Sequence, residues 1–168
     1  MLKKTPATNA YWHGFARHTG LAGEDYDVVA FGNTSERASE LAALVVAGTK
    51  RATASLRRDY GEGRLKLPAV GDYVVVVDGV GTPQCIWRTT EITVKPLNAV
   101  DARFAWDEGE GDRSLAWWLK AHRSYFAAEA AREGFVMHDA IETVFERFLV
   151  VWPPDRADAW EPTPVQRQ

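Results

Sequence analysis

The sequence predicts an α+β domain in which helices flank a curved sheet or small barrel, and three observations lead there. Apolar residues recur at helical spacing near the N-terminus and again over residues 114–133. Between those stretches the chain turns β-branched and aromatic, broken by Gly, Pro and Asp clusters. An apolar run, "TVFERFLVVW", then closes the pattern ahead of Pro153 and Pro154.

Taken in order, residues 6–19 place Tyr11, Phe15 and His18 at helical spacing, and Gly20 supplies the stop. "YDVVAFG" (26–32) is a short strand that runs into Asn33, with Glu36 three residues on as a capping box. The helix that follows, Thr34 to Ala47, buries Ala38, Leu41, Leu44 and Val45 and leaves Gly48 at its C′ position. "AGTKRATASLRRDY" (47–60) then turns to strand. "YVVVVD" (73–78), the turn "GVGTP" and "QCIWRTTEITVK" (84–95) form a hairpin whose continuous apolar centre implies burial on both faces. Over residues 114–133, Leu115, Trp118, Leu119, His122 and Phe126 make one stripe of a helix. Residues 143–152 are the last strand, and the tail from Asp155 has little to bury, so it is expected to be mobile or loosely docked.

A chain of 168 residues fits one domain with a real core. Its formal net charge of -3 argues against indiscriminate binding to nucleic acid or anionic membrane, so any polyanion site must be local. Cys85 stands alone, which excludes an intramolecular disulfide and a Cys-based metal cluster. The N-terminus lacks the apolar core of a secretory signal, and no run is long enough to span a membrane. A soluble, cytoplasmic protein is the expectation.

Three segments carry groups able to do chemistry. Between Gly48 and Lys66 lie six cations, Lys50, Arg51, Arg57, Arg58, Arg64 and Lys66, against two anions, Asp59 and Glu62. They suit phosphates, or equally a solvated strand face. "AWDEGEGD" (105–112) has the opposite sign, and its two glycines allow a tight loop in which the carboxylates cannot all point outward. Asp112 and Glu110 read as the start of the next helix, with Asp112 its N-cap. Asp107 and Glu108 lie outside that helix and are the carboxylates to consider for catalysis or for a divalent cation. "WWLKAHRSYF" offers Trp117, Trp118, His122, Ser124 and Tyr125 for stacking and hydrogen bonding, although Trp118 and Phe126 at helical spacing also read as core.

The order "FGNTSERASELAALVVAGTKRATASL", "PAVGDYVVVV", "FAWDEGEGDRSL" and "FERFLVV" resembles the activating-signal-cointegrator homology (ASCH) domain family over about residues 25–152. The resemblance implies a β-barrel of the pseudouridine-synthase and archaeosine-transglycosylase (PUA-like) type, flanked by helices. Residues 1–24 would be a helical extension packed on that domain, and residues 153–168 a tail. The family's Gly-x-Lys-x-x-Thr pattern falls on Gly48, Lys50 and Thr53, and its acidic residue on Glu108. In compact members with N4-acetylcytidine amidohydrolase activity the corresponding Lys, Thr and Glu are the catalytic set. Longer bacterial members, which this chain resembles in architecture, look like single-stranded RNA ribonucleases assisted by a divalent metal. An endoribonuclease with Lys50 and Glu108 in its cleft, and Asp107 or Glu108 as any metal ligand, is therefore the first expectation and the amidohydrolase the alternative. Arg51, Tyr60, Arg88, His122, Ser124 and Tyr125 are the expected contacts to RNA or a modified cytidine, and a non-catalytic binding module is the third reading. One geometric demand stands out. Lys50 and Thr53, three residues apart, fall on opposite faces of a regular strand, so a bend or the strand's start must bring them together.

Overall fold

A computed structural model describes residues 2–159. The chain forms helix α1 (Pro6–Thr19), strand β1 (Asp27–Val29), helix α2 (Ser35–Val46), strands β2 (Ala52–Leu56), β3 (Tyr73–Val77) and β4 (Pro83–Pro96), helices α3 (Ala102–Glu108) and α4 (Leu115–Glu133), and strand β5 (Glu142–Trp152). The strands lie in the order β1-β3-β4-β5-β2. β1 and β3 run parallel and every other neighbouring pair is antiparallel. The long β4 and β5 shift register at Ile86/Trp87 and at Thr89/Glu91, and such irregularities bend a sheet. The result is a mixed half-barrel flanked by four helices.

Each face of the sheet is covered by a different helix. On one side Trp12 and Phe15 of α1 pack with Tyr26, Val28, Val75, Val77 and Ile86. On the other, Leu41, Ala42 and Val45 of α2 meet Val74, Val76, Trp87, Phe148 and Val150. A third cluster joins β2 and the first half of β5 to α3 and α4 through Ala52, Leu56, Phe104, Trp118, Phe126 and Phe145. The sites of interest lie where the second and third clusters meet.

Three details differ from the sequence reading, and of the two alternatives for the tail the structure has the docked one as far as residue 158. The cap of α2 is Thr34, whose side chain accepts from Arg37 N, so Asn33 and Glu36 form no capping box. Leu44 is only half-buried, and Ala42 takes the interior position instead. Ser114 rather than Asp112 caps α4, accepting from Trp117 N, while Asp112 Oδ1 accepts from Ser114 N in the turn before it. The tail is docked through residue 158: Asp158 N donates to Val150 O and Val150 N donates to Asp158 Oδ2, both at 2.8 Å. Residues 160–168 lie outside the described residues.

Candidate functional site

Lys50 is 1 % exposed, and the chain enters the interior there for a local reason. After α2, Gly48 adopts φ 84°, and both Thr49 N and Lys50 N return to Leu44 O, at 3.0 and 3.1 Å. The backbone thus doubles back before β2 begins, and Lys50 sits in that bend rather than on the strand. Facing it, α3 ends at Glu108 and Gly109 caps it with φ 73°. A Cβ on Gly109 would stand 2.2 Å from Thr49 O, so only glycine lets the two segments touch.

That contact brings two carboxylates to one ammonium. Glu108 Oε1 lies 3.3 Å and Glu110 Oε1 2.7 Å from Lys50 Nζ. Glu110 Oε2 accepts from Arg37 Nη2 of α2 at 2.6 Å. Trp118 Nε1–H donates to Glu108 Oε2. His122 stacks on the Trp118 indole, donates from Nδ1–H to Trp118 O at 3.0 Å, and so turns Nε2 toward Glu108 Oε1 at 3.5 Å. Burial alone would raise the Glu108 carboxyl, but Lys50, then His122 and the Trp118 N–H, outweigh it and hold Glu108 below the usual carboxylate range. Lys50 and Arg37 face Glu108 and Glu110, and Arg37 also pairs with Glu40 Oε2 at 3.1 Å, so the Lys and Arg cations of the network do not outnumber its carboxylates. It fixes Lys50 firmly but gives no net pull on a polyanion.

Thr53 lies inside β2, directly opposite Glu146 of β5, whereas the carboxylate partners of Lys50 are Glu108 and Glu110. Glu146 is 7 % exposed and accepts from Thr89 Oγ1 at 2.6 Å. Burial pushes its carboxyl up to about 7, with Thr89 and Trp87 pulling the other way and Asp72 and Asp27 adding to the rise.

A family model for the ASCH domain matches residues 27–152, well over half of the chain. The chain belongs to the ASCH domain family. Among solved structures, an ASCH domain from Lactobacillus crispatus matches with a TM-score of 0.80 at 30 % identity, covering 89 % of this chain and 97 % of that one. A protein from Enterococcus faecalis gives 0.78 at 32 % identity, covering 86 % of this chain and 92 % of that one. Among curated proteins, none matches.

Within this ASCH domain the other residues singled out from the sequence are dispersed. Arg51 Nε and Nη2 hold Asp158 at 2.7 and 2.9 Å, and Nη1 donates to Val45 O and Lys50 O, so it braces the bend instead of meeting solvent phosphate. Tyr60 shares a hydrogen bond with Ser55 Oγ at 2.7 Å. Arg88, on β4, lies opposite Tyr73 and Leu149, and Glu91 pairs with Arg147. Ser124 and Tyr125 are exposed on α4, while Trp118 and Phe126 face inward. The basic run does not gather either: Arg57 donates to Tyr60 O, Arg58 lies over Phe135, and Lys66 pairs with Asp72.

A divalent cation does not fit. Among the described residues no group of three or more His, Cys, Asp or Glu is placed to hold a metal. Asp107 Oδ2 faces Arg147 Nε at 3.1 Å and Glu108 faces Lys50, so both suggested ligands are engaged by cations. Glu110 and Arg37 are the members of the network that the sequence reading left out. The "EGEG" spacing was the available signal, since alternate residues around a glycine can return to one side.

No helix among the described residues is long and apolar enough to cross a membrane.

Proposed function

We propose that this ASCH domain is a hydrolase acting on nucleosides or RNA, and that its preferred substrate is a neutral acylated nucleoside such as N4-acetylcytidine. The observation that supports this is the Lys50 network: one ammonium held at 1 % exposure between Glu108 and Glu110. A phosphodiester would bring a third negative charge to that pair of carboxylates, whereas an amide carbonyl brings none until it reacts.

In this reading Lys50 donates a hydrogen bond to the oxyanion that forms when water adds to the acyl carbon. Glu110, with an 11 % exposed side chain, is the carboxylate closer to solvent; it takes the water's proton and passes it to the departing nitrogen as the C–N bond breaks. Glu108 is a positioning residue: ionised and anchored by Trp118 and His122, it holds Lys50 in place. Single-stranded RNA is the second reading, favoured by Arg113, which lies over the 56 % exposed ring of Trp106 with no carboxylate partner among the described residues.

The test compares wild type, Glu110→Gln and Lys50→Met on N4-acetylcytidine and on labelled single-stranded RNA, with and without chelator. Deacylation reduced about 100-fold or more in both variants, with no effect of chelator, is expected. RNA cleavage with inert N4-acetylcytidine would overturn the first reading in favour of the second. RNA cleavage that persists in Lys50→Met would place the activity elsewhere.

A further inference from the structure

The ASCH match ends at residue 152, but the chain beyond it stays on the molecule. Pro153 O accepts from Arg156 N at 3.0 Å, a turn that sends the backbone back toward β5. Asp158 then docks on Val150, a fully buried residue of the core: Asp158 N donates to Val150 O, and Val150 N donates to Asp158 Oδ2, both at 2.8 Å. The second bond fixes the carboxylate as well as the backbone. The tail therefore delivers one negative charge to a set place.

That charge meets Arg51, whose Nη2 donates to Asp158 Oδ1 at 2.9 Å and whose Nε lies 2.7 Å from Oδ2. The other terminal nitrogen, Nη1, donates to Val45 O at 2.7 Å and to Lys50 O at 2.8 Å. One planar group thus joins the tail, the end of α2 and the peptide of Lys50. Val45 O also accepts from Gly48 N at 3.1 Å, whereas Lys50 O has no second donor among the described residues. Without Asp158 the part-buried guanidinium would have no carboxylate partner among those residues, and hydration would draw it away from Lys50 O. A freed carbonyl lets that peptide rotate and carries the ammonium off Glu108 and Glu110. Misplacement of a reacting group by about 1 Å costs up to about 100-fold in rate.

We propose that Asp158 is a positioning residue for Lys50: acting through Arg51, the C-terminal segment holds the Lys50 peptide in the orientation that the reaction uses. The kinetic consequence rests on the hydrolase reading above, and the structural consequence rests on the bend alone. Lysine cannot replace Arg51 in this role. A single ammonium does not reach the carboxylate and both carbonyls together, as the planar guanidinium does.

The experiment uses the full chain and compares wild type with Asp158→Asn, Arg51→Lys and, on the exposed turn, Asp155→Asn. Asparagine keeps an acceptor for Val150 N, so the tail stays docked while the charge is lost. Turnover of N4-acetylcytidine is measured without denaturant, and amide hydrogen exchange is followed residue by residue by NMR. Asp158→Asn and Arg51→Lys are expected to lower kcat about tenfold or more with KM held within about twofold. Exchange at Thr49 N and Lys50 N, which both donate to Leu44 O, is expected to quicken by about tenfold while amides of α1 and β3 keep their wild-type rates. The double variant is expected to be no slower than the worse single one, because both changes break one link. Asp155→Asn is expected to match wild type in turnover and in exchange. An unchanged kcat in Asp158→Asn overturns the proposal, and so does exchange that is unaltered at Lys50 N or faster throughout the chain alike. If wild type leaves N4-acetylcytidine intact, the hydrolase reading fails, and exchange at Lys50 N by itself then decides whether Asp158 holds the bend.

Discussion

Lys50 is stable in the interior because two carboxylates meet it, and removing it leaves both without their counter-charge. Deleting one partner of a buried ion pair costs about 3–5 kcal/mol. Lys50→Met is therefore predicted to lose about that much in urea denaturation, and adding Glu108→Gln and Glu110→Gln should recover part of it. The two buried acids also give stability opposite dependences on pH. Glu108 has a folded-state pKa below its unfolded value, so its contribution is complete above the unfolded pKa of 4.5 and is lost as pH falls through the folded value. Glu146 is raised from 4.5 to about 7, so the folded state binds the extra proton between those values and stability falls as pH rises across that window. At about 1.4 kcal/mol per unit the fall amounts to roughly 3 kcal/mol. Glu146→Gln should flatten the curve from pH 4.5 to 7 and Glu108→Gln should flatten it below 4.5, as read from urea midpoints over pH 3–8. An unaltered slope in Glu146→Gln would mean that Glu146 is ionised in the folded protein.

The short helix α3 and its cap decide whether the network exists at all. Gly109→Ala would put a methyl 2.2 Å from Thr49 O at a positive φ, so the α3 terminus and the Lys50 bend must separate. A loss of stability well above about 1 kcal/mol is predicted. Hydrogen exchange should show faster opening at Arg51 N, which donates to Asp107 O at 2.7 Å across this contact. α3 is also the element that the sequence did not reveal. Seven residues with Phe104, Ala105 and Glu108 inside are too short to show a period, and a glutamate facing inward reads as loop. Longer elements were legible because apolar spacing repeats along them: Trp118 and Phe126 on α4, Leu41 and Val45 on α2. Caps were less so, since Asn33 beside Thr34 and Asp112 beside Ser114 are chemically equivalent candidates. Of the network, Lys50 and Glu108 were found through motif order, whereas Arg37 and Glu110 meet across 73 residues of sequence, a separation over which no local pattern operates.

The ASCH match begins at residue 27, yet the molecule does not end its packing there. Trp12 and Phe15 of α1 are each 2 % exposed, and Trp12 stacks on Tyr26 with ring centroids 4.9 Å apart. They cover the part of the sheet made by β1, β3 and the start of β4, where Val28, Val75, Val77 and Ile86 have no other helix in their cluster among the described residues. Burying a large apolar side chain is worth about 1.5–3 kcal/mol, so these two rings contribute roughly 3–6 kcal/mol. A domain of this length has a total of roughly 8–25 kcal/mol at 0.05–0.15 kcal/mol per residue. Removing α1 therefore takes away a large share of stability and exposes a β-branched surface next to strand β1 at the sheet's edge, the arrangement that promotes self-association. A chain lacking residues 1–24 is predicted to elute as oligomers or aggregate and to unfold at clearly lower urea. Trp12→Ala in the full chain, which removes one ring and leaves the helix, should lose about 3–5 kcal/mol and keep the elution volume of the full chain. A truncated chain that keeps the full chain's oligomeric state by light scattering, with an unchanged midpoint, would show that α1 is an appendage rather than the cover of this face.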